Sequence, residues 1–264
     1  MRKTIFTLTA VVAVCMLTLF ACRKNAKTDS TTVVSDEALT KIYNLGFSNK
    51  DVIPDGKGNY IVEGDILLSE DDLNAKADVS LLRVAGEEQY RTTNLVRNLP
   101  RTITVSLASN LSTWSTALNT AISRYNALGL QITFTRVSSG GNISIVNGSG
   151  SFLASSGFPT SSGNPYNQVI LNSSQVAGQP NNTVASILAH EIGHCIGFRH
   201  TDYFNRSYSC GGSAVNEGSA GVGAINIPGT PTGADPNSWM LSCIGSGQDR
   251  PFNANDRTAL NYLY

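Results

Sequence analysis

His190-Glu191-Ile192-Gly193-His194-Cys195-Ile196-Gly197-Phe198-Arg199-His200 contains every histidine of this 264-residue chain. A helix advances about 3.6 residues per turn, so His190 and His194 project from nearly the same face and can grip one metal ion through two imidazoles. Gly197 can adopt the left-handed backbone conformation that ends a helix, after which the chain doubles back and brings His200 toward the same ion. Three protein ligands with a fourth position left for water is the catalytic rather than the structural pattern of zinc.

Glu191 follows His190 by one residue and lies about 100° around the helix from the ligand pair, poorly placed to ligate. Its expected partner is the zinc-bound water. Zinc lowers the pKa of that water from about 15.7 to roughly 7, and a neighbouring carboxylate can take the proton as the oxygen attacks a carbonyl. Ordinary histidines at accidental spacing are the alternative, but chance would have to place three histidines, a glutamate and a glycine together.

The stretch resembles the zinc signature of the metzincin metallopeptidases, H-E-x-x-H-x-x-G-x-x-H. With Gly197-Phe198-Arg199-His200-Thr201-Asp202 following His190-Glu191-Ile192-Gly193-His194, it is most similar to the bacterial dual-action HEIGH metallopeptidases. The resemblance implies that His190, His194 and His200 ligate Zn2+ and that Glu191 is the catalytic base. It implies an α+β, layered zincin domain: a twisted mixed β-sheet, two long helices, a C-terminal helix and an active-site cleft. It also implies a methionine turn beneath the zinc, for which Ser238-Trp239-Met240 is the candidate, since Met1 and Met16 lie in the leader. Some metzincins add a tyrosine ligand two residues after that methionine; here the position is Ser242, so no fifth protein ligand is expected. Asp202 is a candidate for fixing the helix exit or orienting the third histidine by a hydrogen bond.

Arg2 and Lys3 precede an apolar run from Ile5 to Phe20, short for a membrane span and read as a signal peptide, residues 1–21. Leu19-Phe20-Ala21-Cys22 resembles a bacterial lipobox, which makes Cys22 the lipidated first residue of an exported lipoprotein in the cell envelope, on the outer membrane with a periplasmic or surface-facing domain. An uncleaved anchor or an ordinary secretory signal is the alternative, and either also exports the chain. Cys15 leaves with the leader and Cys22 takes lipid, so Cys195, Cys210 and Cys243 remain. Cys195 reads as a small buried residue of the zinc helix. A Cys210–Cys243 disulfide is the favoured pairing, with three free thiols the alternative.

Every lysine lies at or before Lys76, and the later chain is rich in Gly, Ser, Asn and Thr, as suits exposed loops. A boundary near Asn98-Leu99-Pro100 follows, separating residues 22–98, a pro-segment or spacer, from a peptidase domain over 99–264. Nineteen basic and nineteen acidic residues give a net charge of zero. Without a basic cluster beyond the leader, nucleic-acid binding is not expected.

Within the second part, Ile103, Val105 and Leu107 alternate as a strand, and so do Leu130, Ile132 and Phe134, and Ile143 and Ile145, with Val169-Ile170-Leu171 a further short strand. Leu111, Trp114, Leu118, Ala121, Ile122 and Tyr125 keep helical spacing, capped by Asn110 or Ser112, and the zinc helix is expected to be capped by Asn182 or Thr183. Asn253 to Arg257 lead into a capped C-terminal helix through Leu260 and Leu263. A loop as long as the Gly-rich stretch after His200 is usually functional, and by resemblance residues near Pro228 to Pro231 would line the pocket for the side chain just after the scissile bond; a passive surface loop is the alternative. Nothing in the sequence indicates calcium, although nothing excludes it.

The segment before residue 99 offers a helix through Leu39, Ile42 and Tyr43 and a strand around Tyr60-Ile61-Val62. If it covers the cleft, a carboxylate is the chemistry left to displace the zinc-bound water, with Asp65 or Asp71 as candidates; a spacer and small support domain is the alternative. The expected activity is that of a membrane-anchored zinc endopeptidase, working as a monomer on protein or peptide substrates. The competing class is a surface lipoprotein adhesin or binding module with a non-catalytic zinc site, against which Glu191 argues.

Overall fold

The computed structural model describes residues 33–74, 89–218, 223–231 and 233–264. The stretch expected to be a signal peptide, and Cys22, lie outside the described residues.

The core is an eight-stranded mixed sheet backed by two helices. Strand β5 (Arg101–Leu107) buries Ile103, Val105 and Leu107 and turns Thr102 and Thr104 outward, the period-two pattern of a half-covered strand. It runs parallel to β6 (Ile132–Val137) on one side and to β7 (Ile143–Asn147) on the other, and β7 runs parallel to β9 (Gln168–Leu171). Strand β8 (Ala154–Ser156) closes that group antiparallel to β9. The N-terminal segment then extends the sheet. An antiparallel meander of β1 (Ile53–Pro54), β2 (Tyr60–Val62) and β3 (Ile66–Leu68) joins β8 through the parallel pair Ile66 and Ser156, giving the order β1-β2-β3-β8-β9-β7-β5-β6.

The helices are α1 (Asp36–Asn44) and α2 (Glu70–Asn74) in the N-terminal segment, α3 (Ser115–Asn126) and α4 (Asn181–Ile196) against the sheet, the short α5 (Ser207–Cys210), and α6 (Ala254–Leu263) at the end. Every residue of α4 from Thr183 to Ile196 is buried, as befits a helix enclosed by the sheet, α3 and the C-terminal turns. Tyr125 of α3 reaches across to donate its hydroxyl to the Ala189 carbonyl at 2.7 Å. Helix α1 packs on the meander in a cluster of its own that includes Ile42, Phe47, Val62 and Ile66. A small antiparallel sheet of β10 (Phe198–Arg199), β4 (Tyr90–Arg91) and β11 (Ile225–Asn226) carries the chain beyond α4.

Two local readings change. Helix α4 starts at Asn181 with Pro180 in the cap position, and the Pro180 carbonyl rather than an Asn182 or Thr183 side chain receives the first amides. The spacing from Leu111 to Tyr125 divides into a 3-10 turn, Ser109–Trp114, and α3, and neither Asn110 nor Ser112 caps it. Strands β3 and β8 are too short to show a period. In α6, Asn253 and Asp256 form a reciprocal capping box.

Asp256 also does a tertiary job. Its carboxylate accepts from Gln89 Nε2, from the Trp239 amide at 3.3 Å and from the Asn253 amide at 2.9 Å. It thereby ties α6 to the turn at Ser238–Leu241. Asp256→Ala orphans two buried donors and one half-buried donor, and a loss of about 3 kcal/mol is expected, at 1–3 kcal/mol per stranded group with partial relief by water. Urea denaturation measures it; a loss below about 0.5 kcal/mol would contradict this role for Asp256.

Candidate metal and catalytic site

Helix α4 presents His190 and His194 one turn apart, and Gly197 then reverses the chain at φ +113°. A Cβ at that position would also stand 2.7 Å from Leu95 Cδ2 and 2.8 Å from the Asn94 carbonyl, so glycine is required for both backbone and space. The reversal leads into β10 and places His200 beside the other two rings. His194 Nε2 lies 3.0 Å from His190 Nε2 and 3.2 Å from His200 Nε2.

The outward nitrogens explain this convergence. His190 Nδ1 donates to the Trp239 carbonyl at 2.9 Å, His194 Nδ1 to the Phe198 carbonyl at 2.8 Å, and His200 Nδ1 to Glu217 Oε1 at 2.9 Å. Carbonyl and carboxylate oxygens only accept, so each Nδ1 carries the proton and each Nε2 presents a lone pair inward. Three buried lone pairs facing one another at this range repel unless a cation sits between them. A tetrahedral zinc with arms of about 2.05 Å sets its ligands roughly 3.3 Å apart, close to the spacing seen. The donor set fits zinc.

The methionine turn supports this arrangement from below. Trp239 holds His190 through its carbonyl, and the Met240 carbonyl accepts from the Thr201 amide at 2.9 Å, next to His200. Met240 itself is buried against α4 at Gly193, where a Cβ would meet its sulfur at 2.6 Å and the Trp239 ring at 3.2 Å. The glycine inside the H-E-I-G-H run is thus the place where α4 and the methionine turn touch.

Glu191 is buried, and Ser156 Oγ on β8 donates to its Oε2 at 2.7 Å. Burial, and then the Asp65 carboxylate, raise its pKa well above the usual range. A bound dication acts in the opposite sense and favours the carboxylate. Beside His190 and Glu191 opens a cavity of about 400 Å³ with an apolar wall of Ile187, Trp239, Leu241 and Ile244 and with Arg206 and Arg250 at its margin. Pro228 to Pro231 do not line it; the residues after the methionine turn do.

The fourth corner of the histidine cluster is occupied by the N-terminal segment. Strands β2 and β3 are joined by the tight turn Glu63-Gly64-Asp65, closed by the Asp65 amide donating to the Val62 carbonyl at 3.3 Å. Asp65 Oδ2 stands 3.1 Å from His200 Nε2 and 3.4 Å from His190 Nε2. Asp65 with the three histidines forms a set able to hold one metal ion. Asp71 lies in α2 and is not part of it.

Asp202 does not orient His200; Glu217 does. Asp202 instead accepts from Ser242, amide at 3.0 Å and hydroxyl at 2.9 Å, and from the Ser209 hydroxyl at 2.6 Å. Glu217 Oε1 lies 3.2 Å from the same Ser242 hydroxyl and shares its single hydrogen, so that hydroxyl faces acids rather than the metal cluster. A disulfide joins Cys210 to Cys243, with Cα atoms 5.1 Å apart, and fixes the loop after His200 to the chain leaving the methionine turn. Cys195 is buried facing the Gln168 carbonyl, and burial pushes its thiol pKa up, away from the thiolate that a metal ligand needs. Glu217 and Ser156 have no motif spacing that marks them; each sits in a stretch without periodicity or in a three-residue strand.

Three inward imidazoles, a buried glutamate one residue from the first, and a methionine turn under them, on a mixed sheet backed by helices, make up the centre of a metallopeptidase. A profile of the dual-action HEIGH metallopeptidases matches residues 60–264, and the chain belongs to that family. Its metal is Zn2+. Among solved structures it is similar to myroilysin, at 18% identity over 65% of this chain and 96% of that one with a TM-score of 0.42. A second myroilysin structure gives 14%, 62%, 83% and 0.39 in the same order. High choriolytic enzyme 1, a hatching-enzyme zinc protease from the medaka fish Oryzias latipes, gives 18%, 61%, 88% and 0.39. Comparison with curated proteins returns no match.

Two substitutions test the supports of the site. Glu217→Ala removes the acceptor of His200 Nδ1 and is expected to weaken zinc binding about 10- to 100-fold in a chelator competition; an unchanged affinity would deny Glu217 that role. Gly193→Ala forces Met240 and Trp239 away from α4, with an expected loss of about 1–3 kcal/mol in thermal or urea unfolding.

Proposed function

We propose that this protein is an exported, lipid-anchored zinc endopeptidase made in a latent form, with residues 22–98 as the pro-segment and 99–264 as the peptidase domain. The observation that carries this reading is the position of Asp65: a buried carboxylate oxygen at the remaining corner of a three-histidine cluster, beside Glu191. A spacer needs no carboxylate at the metal corner, whereas a segment that keeps the centre latent needs one there, where, against burial, the histidines hold Asp65 ionised.

When bound, zinc supplies a Lewis acid that acidifies water and polarises a carbonyl. Withdrawal of Asp65 admits the attacking water. Glu191, held at Oε2 by Ser156, takes the water proton at Oε1 and delivers it to the departing amine. The Ser156 amide, which now donates to the Asp65 carbonyl at 2.9 Å, becomes available to the main chain of an extended peptide. The cavity walled by Trp239 and Leu241 receives a side chain of that peptide. The address rests on Arg2, Lys3, the apolar run that follows them and Cys22. The chain is read as a monomer.

Casein or mixed-peptide cleavage by the chain carrying Asp65→Ala, with and without Glu191→Ala and with zinc content measured in both, tests the chemistry. Zinc is expected to stay and cleavage to fall by about 10²- to 10⁴-fold; equal cleavage would sink the general-base assignment. Latency is tested separately by Asp65→Ala, which is expected to cleave at least about tenfold faster than wild type at equal zinc occupancy. Equal rates would remove the inhibitory role and leave residues 22–98 as a support domain.

A further inference from the structure

The second acid of the hairpin tip has a partner outside the metal cluster. Arg199, on β10 immediately before the third histidine, is fully buried. Its guanidinium lies 5.2 Å from the Phe47 ring centroid and 5.9 Å from those of Phe158 and Tyr203. Its Nη2 donates to Glu63 Oε2 at 3.0 Å, and the carbonyls of Gly218 and Gly223 stand at 3.5 and 3.4 Å. Glu217 Oε2 lies at 3.7 Å, outside hydrogen-bond range, because that carboxylate is engaged by His200. Arg199 Nε has no hydrogen-bond partner among the described residues. Glu63 is therefore the one described carboxylate within hydrogen-bond reach of this guanidinium, and the sequence between Gly218 and Gly223 contains no acid.

The way Glu63 gets there shows what the site accepts. It sits at φ +56°, a conformation that disfavours a side chain, and the Ser48 amide holds its Oε1 at 3.1 Å. The N-terminal segment thus adopts an unfavourable backbone geometry to set a carboxylate on Arg199. The same segment supplies Phe47 as one face of the aromatic surround. The other residues around the guanidinium, Phe158, Tyr203 and the two glycine carbonyls, belong to the peptidase part. They keep Arg199 in place when the hairpin withdraws, which leaves a positioned guanidinium with the edge that Glu63 held open and only the longer 3.7 Å ion pair to Glu217 remaining.

We infer that Arg199 forms a substrate subsite for a carboxylate, most simply a glutamate side chain held at a fixed distance from the scissile bond, and that Glu63 fills this subsite in the latent form. The inference rests on the peptidase reading above. Phe158 links the subsite to the metal centre, since its ring also packs edge-on against His194 at 5.5 Å. The cavity walled by Trp239 and Leu241 is a separate place, because Arg199 is not among its lining residues.

The test uses the full chain carrying Glu63→Ala and Asp65→Ala, which loosens the hairpin, and a set of peptides with amidated C-termini that place Glu or Gln at each successive position. A preference of about 10- to 100-fold in kcat/KM for Glu over Gln is expected at one fixed position, the scale of a hydrogen-bonded charge pair in a site built for it. Adding Arg199→Gln is expected to bring that ratio to about one while zinc content is retained, and Arg199→Lys to restore part of it. A matching series with free C-termini separates a side-chain carboxylate from a terminal one: preference appearing only there assigns the subsite to the chain end. No preference at any position in either series overturns the inference even if Arg199 variants fail to fold. Cleavage of no peptide at all would refute the peptidase reading itself.

Discussion

Everything at the centre of this protein depends on where three imidazole protons go. Each histidine spends its Nδ1 hydrogen on an oxygen supplied by another part of the chain: Trp239 in the methionine turn, Phe198 at the end of the zinc helix, and Glu217 in the loop beyond. That choice of tautomer turns three lone pairs inward and makes a metal ion the natural occupant. The sheet, the enclosed helix α4, the contact of Gly193 with Met240 and the clamp at Asp256 all hold those three oxygens in position. A metal site on one helix is thus a property of several distant segments.

The N-terminal segment uses the same chemistry in the opposite direction. Its meander continues the main sheet past β8, and its tip delivers two carboxylates, Asp65 to the metal-binding histidines and Glu63 to the Arg199 cation. Gly64 between them turns the chain at φ +94°, a left-handed conformation that favours glycine, with the Arg206 guanidinium lying against it. Sheet extension supplies the geometry and a cluster around Ile42 and Phe47 supplies adhesion. Latency, in this reading, is a matter of charge placement by a rigid turn rather than of bulk.

Much of the frame was legible in advance because it rests on local periodicity. Ile103, Val105 and Leu107, the helical spacing through Tyr125, and Asn253 with Asp256 each announce an element over a handful of neighbouring residues. The missed parts are those without a period. Strands β3 and β8 are three residues long and are defined by their partners, the cap of α4 is a backbone carbonyl, and of the two roles open to Asp202, fixing the helix exit or orienting His200, the second belongs to Glu217. Glu217 follows His200 at a distance that no helix or turn rule fixes, so only the path of the loop, fastened by the Cys210–Cys243 disulfide, brings it to the ring.

The sequence by itself determined the metal chemistry, because His190, His194 and Gly197 obey helix geometry and His200 follows a forced reversal. It also determined which glutamate stands beside the metal, since Glu191 is fixed to the same helix. Only the tertiary structure decided which of several acids in the N-terminal segment reaches the histidines, which residue orients His200, and that Arg199 is buried against Glu63. Those pairings join residues more than a hundred positions apart or lying in aperiodic loops. Their closeness arises from sheet register and packing, which no local pattern of side chains encodes.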